Sequence, residues 1–241
     1  MQNRYAGDVG DFGKLGLLRC IASTGLFIGV NWYLVPDETH NDDGKHTGYI
    51  GDTKFRGCDD ILLNKLKQIV DKRERTVLSL EAANLLPRTT YYNKVLVSPE
   101  QGGPQYRAKW HKNALDVLQD TDIVFLDPDN GLIVKSVGQM SKRSNKYVLP
   151  CELADYYLKG HSVIFYNHRS RQKEYEYLVR FRTLLLESPF VQSECVSIKF
   201  SRGTIRDYFF ILQKEHKHAV EYAIKEMLNG PWAQHFSMLP S

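Results

Sequence analysis

Cysteine is scarce in this sequence. Four cysteines stand far apart in 241 residues, at positions Cys20, Cys58, Cys151 and Cys195, and no pair has the Cys-x-x-Cys spacing. The wide separation of the four cysteines argues against a zinc site built from thiolates and against a fold held together by disulfides. It is typical of a protein kept in a reducing compartment, so we predict a cytoplasmic location.

Long apolar runs are also missing. The longest nearly apolar run covers residues 25–35 and is interrupted by Asn31, and it is shorter than the roughly 20 residues that a helix needs to cross a bilayer. The opening residues Met-Gln-Asn-Arg-Tyr-Ala-Gly-Asp lack the apolar core of a signal peptide. We therefore expect no membrane partner.

A large excess of charge of one sign is absent as well. The formal net charge of +4 permits an anionic partner without requiring one. The length favours one large α/β domain over residues 1–241, with a long polar loop at 36–58. No histidine or cysteine pair has the spacing of metal ligands, so these residue types predict no metal site, and nothing in the sequence predicts an oligomeric state.

Apolar segments alternate with amphipathic ones along the chain. The predicted strands cover 27–35, 76–80, 91–97, 123–126, 161–167, 194–200 and 207–213, and a helix over 13–24 precedes them. Strands separated by helices predict a parallel sheet, and the last two strands form a hairpin. The sequence thus predicts a doubly wound, mostly parallel, seven-stranded Rossmann-like sheet with a C-terminal antiparallel hairpin.

The strand at 123–126 ends in a polar turn that is the best candidate for a working edge. The turn is Asp127-Pro128-Asp129-Asn130, and proline ends the pairing because it has no N–H to donate. Ligands of open α/β sheets bind beyond the carboxyl ends of the strands. Asp127 and Asp129, two residues apart, can accept hydrogen bonds from an amine or coordinate Mg²⁺. We predict that these four residues are catalytic, and both chemistries stay open.

Asp37 and Glu38 follow the first strand in the same way. They are suited to bind the hydroxyls or the amine of a cofactor. Together with Asp8, Asp11 and Asp127, they would alternatively form a metal site for phosphodiester hydrolysis.

Basic residues follow the fifth strand. His168, Arg169 and Arg171 would lie at the same sheet edge as Asp127 if the sheet is parallel. The planar fork of arginine matches phosphate oxygens, so we predict that this segment binds the phosphate of a nucleic acid or nucleotide.

The order of elements over residues 13–213 resembles the class I S-adenosylmethionine-dependent methyltransferase fold. In that family the fourth strand ends in a short acidic or amide motif followed by proline, which corresponds here to Asp127-Pro128-Asp129-Asn130. The resemblance implies S-adenosylmethionine as cofactor. It also implies that Glu81, after the second predicted strand, holds the cofactor ribose.

The N-terminal stretch resembles one branch of that family more closely. Tyr5-Ala-Gly-Asp-Val-Gly-Asp-Phe-Gly-Lys is similar in spacing to the His-Ala-Gly-Asn-x-x-Asp-x-x-Lys-His opening of bacterial large-subunit ribosomal-RNA adenine methyltransferases. Gly7, Asp11 and Lys14 match that pattern, whereas Tyr5, Asp8 and Leu15 stand where it has His, Asn and His. The resemblance implies that Gly7, Asp11 and Lys14 lie beside the cofactor.

Two departures from the family pattern affect the expected chemistry. The first strand runs into Pro36-Asp37-Glu38 instead of a glycine-rich turn, and the family motif Asp-Pro-Pro-aromatic is replaced by Asp-Pro-Asp-Asn. The missing ring removes a stacking contribution of about 1–3 kcal/mol per base. Tyr166, at the end of the next strand, is the predicted substitute for that ring.

Three functions follow from these patterns. The first is a nucleic-acid-modifying methyltransferase-like protein that uses S-adenosylmethionine, with altered chemistry left open. The second is a metal-dependent nuclease or phosphohydrolase on the same scaffold, with Mg²⁺ as cofactor. The third is a non-catalytic nucleic-acid-binding module.

Overall fold

The protein is described by a computed structural model covering residues 1–38, 44, 46–169 and 173–240. The strands are β1 Ile28–Asn31, β2 Thr89–Tyr92, β3 Ile123–Leu126, β4 Gly131–Leu132, β5 Tyr147–Val148, β6 Ser162–His168, β7 Glu194–Arg202, β8 Thr204–Leu212 and β9 Phe236–Met238. The α-helices are α1 Val9–Ala22, α2 Asp60–Asp71, α3 Val77–Ala82, α4 Pro99–Gly102, α5 Pro104–Val117, α6 Pro150–Leu158, α7 Glu174–Leu185 and α8 Lys214–Asn229.

Seven of the strands form one sheet in the order β2-β1-β3-β6-β8-β7-β9, and β4 and β5 pair separately. The pairings β2–β1, β1–β3 and β3–β6 are parallel, and β6–β8, β8–β7 and β7–β9 are antiparallel. The sheet is therefore mixed. The prediction of a mostly parallel sheet is right for its first four strands only.

Alternating side chains of the central strands supply two cores, one on each face of the sheet. Ile123 and Phe125 pack with α1, α2 and α8, whereas Val124 and Leu126 pack with α5, α6 and α7. Successive side chains of a strand point to opposite faces, so a continuous apolar run can serve helices on both sides. The predicted doubly wound α/β arrangement is confirmed, and so is the C-terminal hairpin, which is β7 and β8.

The second predicted strand, 76–80, is wrong. Residues Val77–Ala82 form α3, and the side chain of Thr76 caps that helix by accepting a hydrogen bond from the backbone N–H of Ser79. Val77 and Leu80 are three residues apart and both buried, which is the spacing of one helix face. The place beside β1 is taken by β2, and the seventh strand of the sheet is β9 at the far edge.

The first helix begins earlier than predicted. Asp8 is its N-cap, since the Asp8 side chain accepts a hydrogen bond from the backbone N–H of Asp11. Lys14 therefore lies in the second turn of α1 and not in the first, and its ammonium is compensated by the Asp11 carboxylate of the first turn. Across the described ranges, none of the helices combines the length and the apolar character that a membrane crossing requires.

Candidate functional site

A cavity of about 420 Å³ opens at the edge of the sheet where β3 and β6 end. Because β8 is antiparallel to β6, its first residues reach the same edge. The cavity wall is contributed by the N-terminal half of α1, residues 127–130 after β3, the end of β6 and the start of β8, with Glu38 and Lys146 at the side.

Three buried charged side chains form the floor of this cavity. The ammonium nitrogen of Lys14 lies 2.5 Å from Asp127 Oδ2 and 2.8 Å from Asp11 Oδ1. Burial alone would lower the pKa of Lys14, but the two carboxylates raise it above its ordinary value. Burial raises the pKa of Asp127, although the Lys14 ammonium opposes that shift.

The N-terminal motif assembles this arrangement through its backbone. The Gly7 N–H donates to Asp11 Oδ2 at 2.9 Å, and Gly7 has a φ of +78°, a conformation that glycine adopts without strain. Asp11 in turn presents its other oxygen to Lys14, one helical turn further on. Gly7, Asp11 and Lys14 are thus one connected unit, and Asp11 and Lys14 line the cavity.

Asp129 has different partners from Asp127. The amino nitrogen of Met1 lies 2.8 Å from Asp129 Oδ1 and donates to the Asp127 carbonyl oxygen at 2.8 Å. Gln2 Nε2 donates to Asp129 Oδ2 at 2.6 Å. Burial favours the protonated acid, yet the Met1 amino group and Gln2 hold the pKa of Asp129 below its ordinary value. The pKa values of the two aspartates in this turn are therefore shifted in opposite directions, upward for Asp127 and downward for Asp129.

Cations and a tyrosine surround the floor. Arg206 lies 3.6 Å from Asp8 (Nη2 to Oδ2) and packs against Gly10, where a Cβ would come within 2.4 Å of the guanidinium. Burial and the neighbouring Asp11 carboxylate raise the pKa of Asp8.

Two further contacts lie in the cavity wall. Lys146 pairs with Glu38. The hydroxyl of Tyr166 lies 3.3 Å from His168 Nδ1, and both residues line the cavity.

Several predicted site residues lie elsewhere. Arg169 does not line the cavity: its guanidinium binds both carboxylate oxygens of Asp207, at 2.8 and 2.9 Å, and also pairs with Glu174. Asp37 accepts a hydrogen bond from the Arg4 backbone N–H and lies outside the cavity wall. Arg171 falls outside the described residues.

Glu81 is not at a strand end, contrary to its predicted position. It lies in α3, where its carboxylate accepts hydrogen bonds from Trp32 Nε1 and Asn93 Nδ2, both at 2.8 Å. It does not line the cavity. Glu81 therefore joins the segments after β1 and β2 to α3.

The turn after β1 takes an unusual form. Tyr33 is fully buried and has a φ of +44°, in the left-handed region that normally favours glycine. Its N–H donates to Asn31 Oδ1 at 3.1 Å, and its hydroxyl donates to Glu152 Oε2 at 3.0 Å. A glycine-like backbone thus follows β1, but a tyrosine ring fills the space that a glycine would leave open.

Arg206 is the main residue that the sequence reasoning missed. It lies in the predicted hairpin, but only the pairing of β8 with β6 brings it beside Asp8. A basic residue at the start of an antiparallel strand that pairs with a parallel strand of the candidate site is the signal that would have identified it.

The described residues do not assemble the predicted cation site. Among them, no group of three or more histidine, cysteine, aspartate or glutamate side chains is placed to hold a metal ion. The Lys14 ammonium lies between Asp11 and Asp127, where a shared cation would have to sit.

Comparison with known proteins bears on the fold alone. No family model matches the sequence, and no curated protein matches it. Among solved structures, the chain is similar to the crystal structure of a Legionella pneumophila protein assigned to the DUF519 family model, with a TM-score of 0.51, 11% identity and 97% coverage of both chains. At that identity the similarity shows a shared α/β fold and nothing about activity.

Proposed function

We propose that this protein is an S-adenosylmethionine-dependent methyltransferase that acts on an amino nitrogen of a nucleic acid. The observation that carries the proposal is Asp127, a buried carboxylate at the end of a central parallel strand that already receives N–H donors from an ammonium group. An acceptor of this kind, on the floor of a polar cavity, suits the amino group of a base.

The donor set of the cavity fits the proposed cofactor. Glu38 and Asp129 would bind an ammonium or ribose hydroxyls, and Arg206 and Lys146 would bind a carboxylate, each in exchange for its present ion-pair partner. A volume of about 420 Å³ lies within the range of small-molecule sites. When bound, S-adenosylmethionine supplies a methyl group made electrophilic by a positively charged sulfur. Since Glu81 and the turn at Tyr33 lie outside this cavity, the acids that line it would replace the family's ribose-binding residue.

Asp127 would orient the target amine and take up its proton. Its carboxylate accepts an N–H of the amine, which directs the nitrogen lone pair away from the aspartate. Methylation leaves the nitrogen with one proton too many, and Asp127, whose pKa is raised by burial, is suited to receive it. Lys14 donates to Oδ2, so an amine that binds at this oxygen would share it with the Lys14 ammonium or displace that ammonium.

Exposed cations near the cavity support an anionic substrate. Lys142 and Arg143 are exposed and immediately precede the short 3₁₀ helix Ser144–Lys146, whose last residue lines the cavity. Phosphate groups of RNA or DNA would bind such cations in a salt-dependent manner. Tyr166, in the cavity wall, is the aromatic side chain best placed to stack on a base.

Binding and transfer can be tested with a matched pair of variants. Asp127 and Asp122 flank the same strand, but Asp122 is at its amino end, where it accepts a hydrogen bond from the Phe27 backbone N–H. We expect S-adenosylhomocysteine to bind the wild type, Asp127→Asn and Asp122→Asn in isothermal titration calorimetry. Transfer of labelled methyl groups to RNA or DNA oligonucleotides should fall by about 10²–10⁴-fold in Asp127→Asn only.

The absence of binding heat at near-millimolar S-adenosylhomocysteine would contradict the proposal, as would unchanged transfer by Asp127→Asn. Salt-dependent oligonucleotide binding without transfer in the wild type would instead indicate a non-catalytic nucleic-acid-binding module.

A further inference from the structure

A second cavity, of about 400 Å³, lies between α5 and α6 on the other face of the sheet. We propose that it binds an uncharged heteroaromatic molecule the size of a nucleobase or nucleoside. The site is separate from the cavity at Asp127, and the proposed methyl transfer makes no use of it.

The walls of this second cavity are mainly apolar. Leu96, Leu115 and Leu149 contribute aliphatic surface, and Tyr106 contributes an aromatic ring. The Tyr106 hydroxyl donates to the Val95 carbonyl oxygen at 2.6 Å, so the orientation of the ring is fixed. Such walls favour a flat apolar body, because burying apolar surface against them removes it from water.

The buried charges in the wall are already paired with each other. Arg107 binds both carboxylate oxygens of Glu152, at 2.6 and 2.8 Å, and two further N–H groups donate to the carbonyl oxygens of Ser144 and Tyr147. His111 Nε2 lies 3.0 Å from Asp155 Oδ2. A charged ligand would have to compete with these pairs, whereas an uncharged one leaves them intact.

Two polar atoms in the wall lack a partner within the described part of the chain. They are His111 Nδ1 and Ser144 Oγ, and both residues are more than nine-tenths buried. With Asp155 accepting from Nε2–H, the imidazole Nδ1 is a hydrogen-bond acceptor. Buried polar groups are normally satisfied, so a ligand that carries an N–H or O–H donor next to an apolar ring would gain a hydrogen bond if the His111 imidazole turns its Nδ1 toward the cavity.

The two cavities share a wall. Within the 3₁₀ helix Ser144–Lys146, Asn145 lines the second cavity and Lys146 lines the first. Asn145 is held by a hydrogen bond from its Nδ2 to the Leu96 carbonyl oxygen at 3.0 Å. A molecule in the second cavity therefore contacts the same short helix that contributes Lys146 to the first.

Cys151 provides a local reporter of occupancy. It is exposed and lines the second cavity, whereas Cys195, also exposed, lies on β7 away from it. Burial raises the pKa of both thiols, and alkylation of each by iodoacetamide can be followed by mass spectrometry. The probes are adenosine and indole at low millimolar concentration.

We expect either probe to slow alkylation of Cys151 several-fold and to leave Cys195 unchanged. Ala108→Trp, at an exposed position of α5 in the cavity wall, should abolish that protection while preserving the fold by circular dichroism. Unchanged Cys151 alkylation with both probes would overturn the proposal, as would protection that persists in Ala108→Trp. Neither readout uses S-adenosylmethionine, so failure here is distinct from failure of the proposed methyl transfer.

Discussion

Replacing Lys14 by methionine tests the physical account of the cavity floor. Methionine keeps most of the volume and removes the charge. Asp127 and Asp11, which are 3% and 2% exposed, then lose the ammonium that lies within 2.8 Å of each. Removing one partner of a buried ion pair costs about 3–5 kcal/mol, because it leaves an uncompensated buried charge. We expect the free energy of unfolding to fall by that amount at about pH 8.

The destabilisation should depend on pH in a defined direction. Burial already raises the pKa of Asp127, and losing Lys14 raises it further. A carboxyl group whose pKa is higher in the folded state binds more protons when folded, so its contribution to stability falls as pH rises above the unfolded value. The cost of Lys14→Met should therefore be smaller at about pH 5 than at about pH 8.

Urea denaturation followed by tryptophan fluorescence at both pH values measures these differences. Lys67→Met is the matched control, because Lys67 pairs with Asp71 on the exposed face of α2 with both side chains about half exposed. An exposed pair of this kind contributes about 0.3–0.5 kcal/mol. A loss below about 1 kcal/mol for Lys14→Met, or an equal loss at both pH values, would refute the reasoning.

Two further predictions concern the turn after β3 and a buried histidine. Gly131→Ala should lower the free energy of unfolding by about 2 kcal/mol or more, because Gly131 has a φ of +96° and a Cβ there would lie 1.9 Å from Asn167 Oδ1. Gly138→Ala is the control, since a Cβ at Gly138 would meet nothing within 4 Å. Its free energy of unfolding should be within about 0.5 kcal/mol of the wild type in the same urea assay. Burial lowers the pKa of His161 below 6.5, so the unfolded chain binds more protons and stability should fall as pH decreases through about 6.5. His161→Gln should reduce that loss, whereas the exposed His218→Gln should not. An equal fall in the urea midpoint of the two variants between about pH 7.5 and about pH 5.5 would contradict the assignment.

Local patterns predicted the centre of the fold and failed at its edges. The apolar run at Ile123–Leu126 is buried on both faces, as its composition indicates, and the β7–β8 hairpin follows from two strand segments joined by a tight turn. The β-branched and apolar residues of 76–80 predict a strand, but the same composition also suits one face of a helix, and the Thr76 cap decides for the helix. The short edge strand β9 has too few residues to give a pattern.

The candidate site was partly predictable for the same reason. Asp127, Asp129, Tyr166 and His168 line one cavity because they lie at the carboxyl ends of β3 and β6, and an alternation of strands and helices implies that such ends share one edge of the sheet. Arg169 faces Asp207 instead, and Arg206 faces Asp8, because the antiparallel strand β8 lies next to β6. Strand order in space is a long-range property, and no local pattern encodes it.

The hairpin turn at Gly203 has a consequence for how specificity could be changed. A Cβ at Gly203 would lie 3.3 Å from Val9 Cγ1 and 3.9 Å from the His46 ring, so the tip of the hairpin leans over the start of α1. Residues added at such a tip extend outward and leave the ladder between β7 and β8 in register. Grafting longer tips there would vary the entrance to the cavity while leaving Asp127 and Lys14 untouched, so this turn is a suitable place to change which ligands the cavity admits.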